Sequence, residues 1–260
     1  MTTPAYSPAF AEFRYWGAIF AKSWRPVLVN SVVNPVLFLA GIGLGLGGLV
    51  DDRSPLDGGL SYAAFFAPGL LAAAAMQTAV VEGGQAVFNA VRTRRSYRVA
   101  AYTPLQPHDI LHGHLLFIAV RILLSSAVFV AVMYAFAIPA SPGAALAVPV
   151  AVLLGVTCAA PTAAWAITVQ QPSVIGNFSR FVVMPLYLFS ATFFPVEVMP
   201  GWLQPLVYLS PLWHGARLCR DLSVGTVNPL DAGVDLALLA LTALAGYLAA
   251  RRSYRRHLHS

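Results

Sequence analysis

Lysine is nearly absent from this chain: Lys22 is the only one in 260 residues. Charged residues of both signs make up 10% of the total, where a water-soluble domain carries about a quarter. A surface that poor in charge cannot face water over its whole extent, so an ordinary soluble globular protein is excluded. Cysteine is scarce too. Cys158 lies inside an apolar run and Cys219 far along the chain, a spacing that fits neither a metal site nor a disulfide framework. A phosphate-binding loop needs a glycine-rich turn ending in Gly-Lys-Ser/Thr. Here the single lysine follows Ala21, so no ATP-hydrolysing site is expected in this chain. The glycine-rich "GIGLGLGG" at 41–48 sits among leucine and valine, and small residues there suit close helix packing. No nucleophile–base pair stands out, and neither catalytic residues nor a metal site are expected. Nor does the net charge of +6 point to nucleic acid, because how the charges are distributed between the apolar runs is more informative than their sum.

What the chain has in abundance is apolar length. Hydrophobic residues make up 58% of it, and a bilayer crossing takes about 20 consecutive apolar residues in a helix, since lipid offers no partner to an unpaired amide. Six such spans are read at 27–49, 62–88, 113–138, 145–169, 174–194 and 233–250. The expected fold class is therefore an all-α polytopic membrane protein of one transmembrane domain, 1–260. The connections alternate in charge. Arg14, Lys22 and Arg25, then Arg92, Arg94, Arg95 and Arg98, then Arg180, then Arg251, Arg252, Arg255 and Arg256 mark one side. The other side carries Arg53, Arg217 and Arg220 together with Asp51, Asp52, Asp57, Glu197, Asp221 and Asp231. Lysine and arginine favour the cytoplasmic side, which places both termini inside. The first apolar run has no small-residue cleavage pattern, so no removable signal peptide is expected.

Three connecting segments carry distinct patterns. In 6–25, "YSPAFAEFRYWGAIFAKSWR", Phe13, Trp16, Phe20 and Trp24 share a helical face with the cations opposite. That pattern predicts an in-plane amphipathic helix with its rings in the acyl boundary, or else the ordinary aromatic flank of a first span. In 195–222, Pro195, Pro200 and Pro211 cut the apolar stretches too short to cross as one helix. Short helices dipping back into the outer leaflet are expected there, with Trp202, Trp213, His214 and Arg217 either anchoring them at headgroup level or meeting a polar group as it leaves. Inside the membrane, Glu82 and Arg121 each lie about 10–12 Å from the cytoplasmic end of neighbouring antiparallel spans, at matching depth. Intramembrane charge is costly unless paired or facing a wet cavity, so the two are expected close together. A structural ion pair, contact with a substrate headgroup and proton coupling all remain open roles for them.

The passages "NPVLFLAGIGLGLGGLV", "YAAFFAPGLLAAAAMQTAVVEGGQAVFNAVRTRRSYRVAAYTPLQPHDILHG" and "FSATFFPVEVMPGWLQPLVYLSPLWHGARLCRDL" together resemble the ABC-2 type permeases. The similarity runs closest to the lipo-oligosaccharide (nodulation-factor) exporter permeases, with the daunorubicin-resistance type nearby, and covers nearly the whole chain. Glu82 occupies the position where the nodulation-type permeases carry a glutamate. The resemblance implies a half-transporter in a bacterial cytoplasmic membrane. Its implied partners are a second permease copy or a related permease, and two copies of a nucleotide-binding ATPase subunit that holds ATP and Mg. It also implies a cytoplasmic coupling helix between spans two and three, within 91–112. Tyr102, Thr103, Pro104, Leu105, Gln106, Pro107, His108 and Asp109 are the expected docking residues. Pro104 and Pro107 bracket a tight turn, and Asp109 is placed to cap the next helix. The other reading of this stretch is a plain loop whose arginines meet anionic headgroups. A largely apolar interior suits a lipid, glycolipid or amphipathic drug moved outward. A proton-gradient-driven carrier and a non-transporting membrane scaffold are the alternatives, and the absence of a visible inverted repeat weighs against the first of these.

Overall fold

The structure, a computed structural model, describes residues 8–41, 61–138, 141–190, 192–193 and 195–258. The described residues are built from helices, in chain order α1 (Pro8–Gly41), α2 (Tyr62–Thr93), α3 (Ser96–Ala101), α4 (Pro107–Ala135), α5 (Ala147–Ala166), α6 (172–189), α7 (Gln204–Tyr208), α8 (Pro211–Val224) and α9 (Pro229–Leu258). Among the described residues, four stretches are long and apolar enough to cross a bilayer: Tyr62–Thr93, Pro107–Ala135, Pro142–Ala166 and Pro229–Leu258. They coincide with the expected second, third, fourth and sixth spans. The chain is a multi-pass membrane protein. The expected first span begins inside α1, and its remainder lies outside the described residues. The expected fifth span is helical at 172–189, but it carries Asn177 and Arg180 and does not reach the same apolar standard.

One expectation is corrected outright. The amphipathic stretch is not a separate element, because α1 continues as a single helix from Pro8 past residue 26 to Gly41. A proline removes one helical hydrogen bond, yet neighbouring helices can hold the rest of the helix together. Nor do the rings all lie toward lipid. Trp16 is 5% exposed and Phe13 and Phe20 pack on the core, while Phe10 and Trp24 remain exposed.

Helix α5 is the hub, packing on α2, α4, α8 and α9. Its sequence, AVPVAVLLGVTCAAPTAAWA, explains why: small side chains let backbones approach where no water drives association. Gly83 of α2 shows the closeness, since a Cβ there would stand 2.7 Å from the Ala159 carbonyl oxygen. Gly246 of α9 does the same against Pro161, at 2.6 Å from its Cδ. Thr157 adds a polar tie, its hydroxyl donating to the Leu239 carbonyl at 3.0 Å. Near Gly83, α2 widens into i→i+5 turns over Val81–Ala86 and again over Asn89–Thr93. Such turns shift the facing of side chains by part of a turn and are frequent at functional sites.

The broken segment before the last span folds as the prolines dictate. A single 3₁₀ turn, Val196–Val198, leads to α7 and then α8, with Pro205 and Pro211 at the helix starts where a missing N–H costs nothing. Gly225 ends α8 in the left-handed conformation, at φ 87°. Arg220 ties α8 to α2, donating from Nε to the Phe65 carbonyl at 3.0 Å with its guanidinium 3.7 Å above the Phe65 ring.

Candidate functional site

Between α2 and α4 the chain turns over residues 94–106, beginning at Arg95, whose φ of 54° is uncommon for a residue with a Cβ. The six-residue α3 that follows is too short to stand on its own helical propensity. Tyr97 holds it. The side chain is 0% exposed, and its hydroxyl shares a 2.8 Å hydrogen bond with Nδ1 of His114 on α4. The Trp16 ring of α1 stacks on the His114 ring at 4.2 Å, and the Tyr254 ring of α9 lies 5.9 Å from Tyr97. Four helices thus meet at one buried aromatic cluster directly behind α3.

Beyond α3 the chain turns outward. Tyr102 is 92% exposed, Thr103 and Pro104 are exposed, and Leu105 is half-buried. The Thr103 hydroxyl donates to the Ala100 carbonyl at 2.6 Å and closes the turn. Gln106 and Asp109 then form a capping box around Pro107, with the Gln106 amide donating to Asp109 Oδ2 at 3.0 Å. His108 is half-buried and lies 3.6 Å from Asp109. The result is a small rigid projection whose outer surface is Tyr102–Pro104 and whose root is Tyr97. Sequence reasoning centred on 101–109 missed Tyr97, because its role depends on His114, Trp16 and Tyr254 arriving from three other helices. Arg92 is also corrected. It points inward, and its Nε donates to the Val169 carbonyl at 3.1 Å, so it serves to tie two helix ends.

The same cluster contains a buried acid. Glu12 is 5% exposed and accepts from Trp16 Nε1 at 2.8 Å. Burial raises its pKa from 4.5 to about 7, a rise that the Trp16 hydrogen bond offsets only in part. A raised carboxyl pKa means that stability is fully present below the unfolded value and is lost as pH rises through the folded one. The thermal midpoint of the purified protein in detergent is therefore expected to fall between pH 4.5 and about 7. Glu12→Gln should flatten that stretch of the profile. An unchanged slope in the variant would show that Glu12 is not the titrating group.

In the membrane, Arg121 Nη1 donates to Glu82 Oε1, so the two intramembrane charges meet across α4 and α2. Glu82 is buried and Arg121 half-buried.

A second charged group lies in the broken segment, among the residues expected to anchor its short helices. His214 and Arg217 both turn onto Asp235 of α9, which is 0% exposed. Arg217 binds it in a fork, Nε to Oδ2 and Nη2 to Oδ1, each at 2.9 Å. His214 Nδ1 lies 2.6 Å from Oδ1, and its Nε2 faces the Tyr208 carbonyl at 2.9 Å. A carbonyl only accepts, so in the second of these contacts Nε2 is the donor. The Trp213 ring sits 4.7 Å beneath the Arg217 guanidinium. This constellation fastens α7 and α8 to α9. Trp202, by contrast, is 74% exposed and Pro200 is exposed too, while Pro195 and Pro211 are half-buried. Asp235 went unnoticed in the sequence, although a carboxylate inside an expected span was signal enough.

The ABC-2 type transporter family matches residues 18–222. Nodulation protein J of Neorhizobium galegae is 27% identical, over 94% of this chain and 94% of its own length. Nodulation protein J of Rhizobium leguminosarum bv. trifolii is 30% identical over 81% of each chain. The daunorubicin resistance ABC transporter permease protein DrrB1 of Streptomyces coeruleorubidus is 28% identical over 86% of this chain and 78% of its own.

Proposed function

The chain belongs to the ABC-2 type transporter family, and from that premise we propose that it is the membrane permease subunit of an exporter driven by a separate nucleotide-hydrolysing subunit. In this reading two permease copies, or this chain and a related one, enclose a path. Two ATPase subunits carrying ATP and Mg sit on the cytoplasmic side, each against a Tyr102–Asp109 projection. Six spans with both termini inside, in a bacterial cytoplasmic membrane, complete the arrangement. The segment from 195 to 222 then lies at the outer face.

The observation that carries the reading is the rooted projection. Its tip exposes an aromatic ring that none of the described residues covers, and its base is wedged through Tyr97 among α1, α4 and α9. ATP-driven closure of the partner would press on the tip. The buried cluster would pass that displacement to three helices together, because a close-packed interior transmits strain rather than absorbing it. Alternating access follows without covalent chemistry in this chain. The apolar helices suit a lipid-like, glycolipid or amphipathic drug cargo. The relative named for daunorubicin resistance supports the last of these classes.

The test is gentle extraction of a tagged chain from its native membrane. A nucleotide-binding protein should copurify in equal amount and hydrolyse ATP. Recovery of the permease alone, from cells that export, would refute the assignment.

A further inference from the structure

Two cavities meet at Arg121. The larger, about 800 Å³, lies between α1, α2 and α4, with Phe38, Leu70, Leu71, Leu124 and Phe129 on its walls. The smaller, about 200 Å³, opens below it and reaches Arg94. Phe20 and Arg121 line both. Helix α2 supplies a polar ladder through the two. Asn89, Gln85 and Glu82 lie along the smaller cavity, with Gln85 Nε2 donating to Asn89 Oδ1 at 3.1 Å. Thr78 and Gln77 continue it into the larger one. Residues three and four apart share a helix face, and the widened turns at Val81–Ala86 and Asn89–Thr93 occupy the ladder itself.

Arg121 interrupts this polar line with a charge. Among the described residues it makes one hydrogen bond, to Glu82, and its remaining N–H groups have no protein acceptor. A guanidinium presents a fork that matches phosphate or carboxylate oxygens, and such bonds are the strong ones. Above it, from Arg121 to Phe129, the cavity follows α4 for about 12 Å, most of the roughly 15 Å depth of one leaflet's hydrocarbon. The volume is that of a site for one drug-sized molecule.

We propose that the ladder Asn89–Gln85–Arg121 is a headgroup track and the cavity above it an acyl chamber, together taking a single-chain amphiphile with a phosphate or carboxylate head. The head climbs from Arg94 along α2 while the chain moves into the apolar chamber. At Arg121 the head replaces Glu82 as the guanidinium's partner, so Glu82 competes with cargo. This assignment rests on the exporter reading and names its substrate class.

The experiment uses the permease alone in nanodiscs, without nucleotide, and a photoreactive decyl phosphate. Labelling should map to α1, α2 and α4. Unlabelled decyl phosphate should compete about tenfold better than decyl trimethylammonium. Glu82→Gln, which frees Arg121, should tighten binding of the phosphate. The double variant Glu82→Gln with Arg121→Gln should erase the headgroup preference while leaving a neutral pair. Ala74→Phe and Ser125→Phe, which fill the chamber, should each abolish labelling. Labelling elsewhere, equal competition by both heads, or weaker binding in Glu82→Gln would overturn the proposal. Those results leave ATP-driven export standing. Normal labelling in a chain that exports without ATP would instead remove the exporter reading on which the track rests.

Discussion

Replacing Tyr102 with aspartate is expected to abolish export while leaving the permease folded. Tyr102 is 92% exposed and packs on no core residue, so its loss should change stability by no more than about 0.5 kcal/mol. Exposed aromatics that anchor an interface typically contribute about 2–4 kcal/mol each. A buried aspartate facing the partner forfeits that and adds a desolvated charge. Copurification of the ATPase subunit should therefore weaken roughly 30- to 1,000-fold. Leu105→Asp, at the half-buried flank of the same turn, should act in the same direction with some loss of stability. Tyr97→Phe separates docking from transmission. It keeps the ring that wedges α3 but removes the hydroxyl bonded to His114. The ATPase should still bind, and transport per ATP hydrolysed should fall. Full export from Tyr102→Asp would mean that force enters elsewhere.

The largest stability effect is expected at Asp235. Both Arg217 and His214 depend on its carboxylate, and Asp235→Ala would leave them facing an empty buried space. Removing one partner of a buried ion pair costs about 3–5 kcal/mol, because the other charge stays desolvated. The melting midpoint in detergent should drop accordingly, and α7 and α8 should become the first site of proteolysis. Asp235→Asn keeps the volume and one acceptor oxygen, so its loss should be smaller. The double variant Asp235→Leu with Arg217→Met should recover part of the midpoint, since apolar replacement of an ion pair is often neutral, while His214 still lacks its partner. If Asp235→Ala melts like the parent, the carboxylate carries no structural weight there.

How much of this was legible in sequence follows from the range of each interaction. The α2–α4 ion pair is readable because rise per residue fixes depth, and Glu82 and Arg121 sit at equal depth on adjacent spans. Pro195, Pro200 and Pro211 forbid a continuous helix whatever surrounds them, so the broken segment is readable too. The capping box at Gln106 and Asp109 is local chemistry. By contrast, nothing local separates Trp16 as a lipid-facing ring from Trp16 as the lid on His114. The α1 periodicity is the same in both cases, and only packing against α4 decides. Tyr97 sits in an arginine-rich stretch that reads as a headgroup-binding loop. Its burial requires α1, α4 and α9 together. The Asp235 constellation joins residues on two helices whose mutual approach depends on the turn at Gly225.

The most direct test of the account is transport in proteoliposomes holding the purified chain, with and without its ATPase partner, using an amphiphilic cargo and an imposed proton gradient as an independent variable. Cargo should move only when partner and ATP are both present, at a rate indifferent to the gradient and lost with Tyr102→Asp. Movement by this chain alone, driven by the gradient, would contradict it.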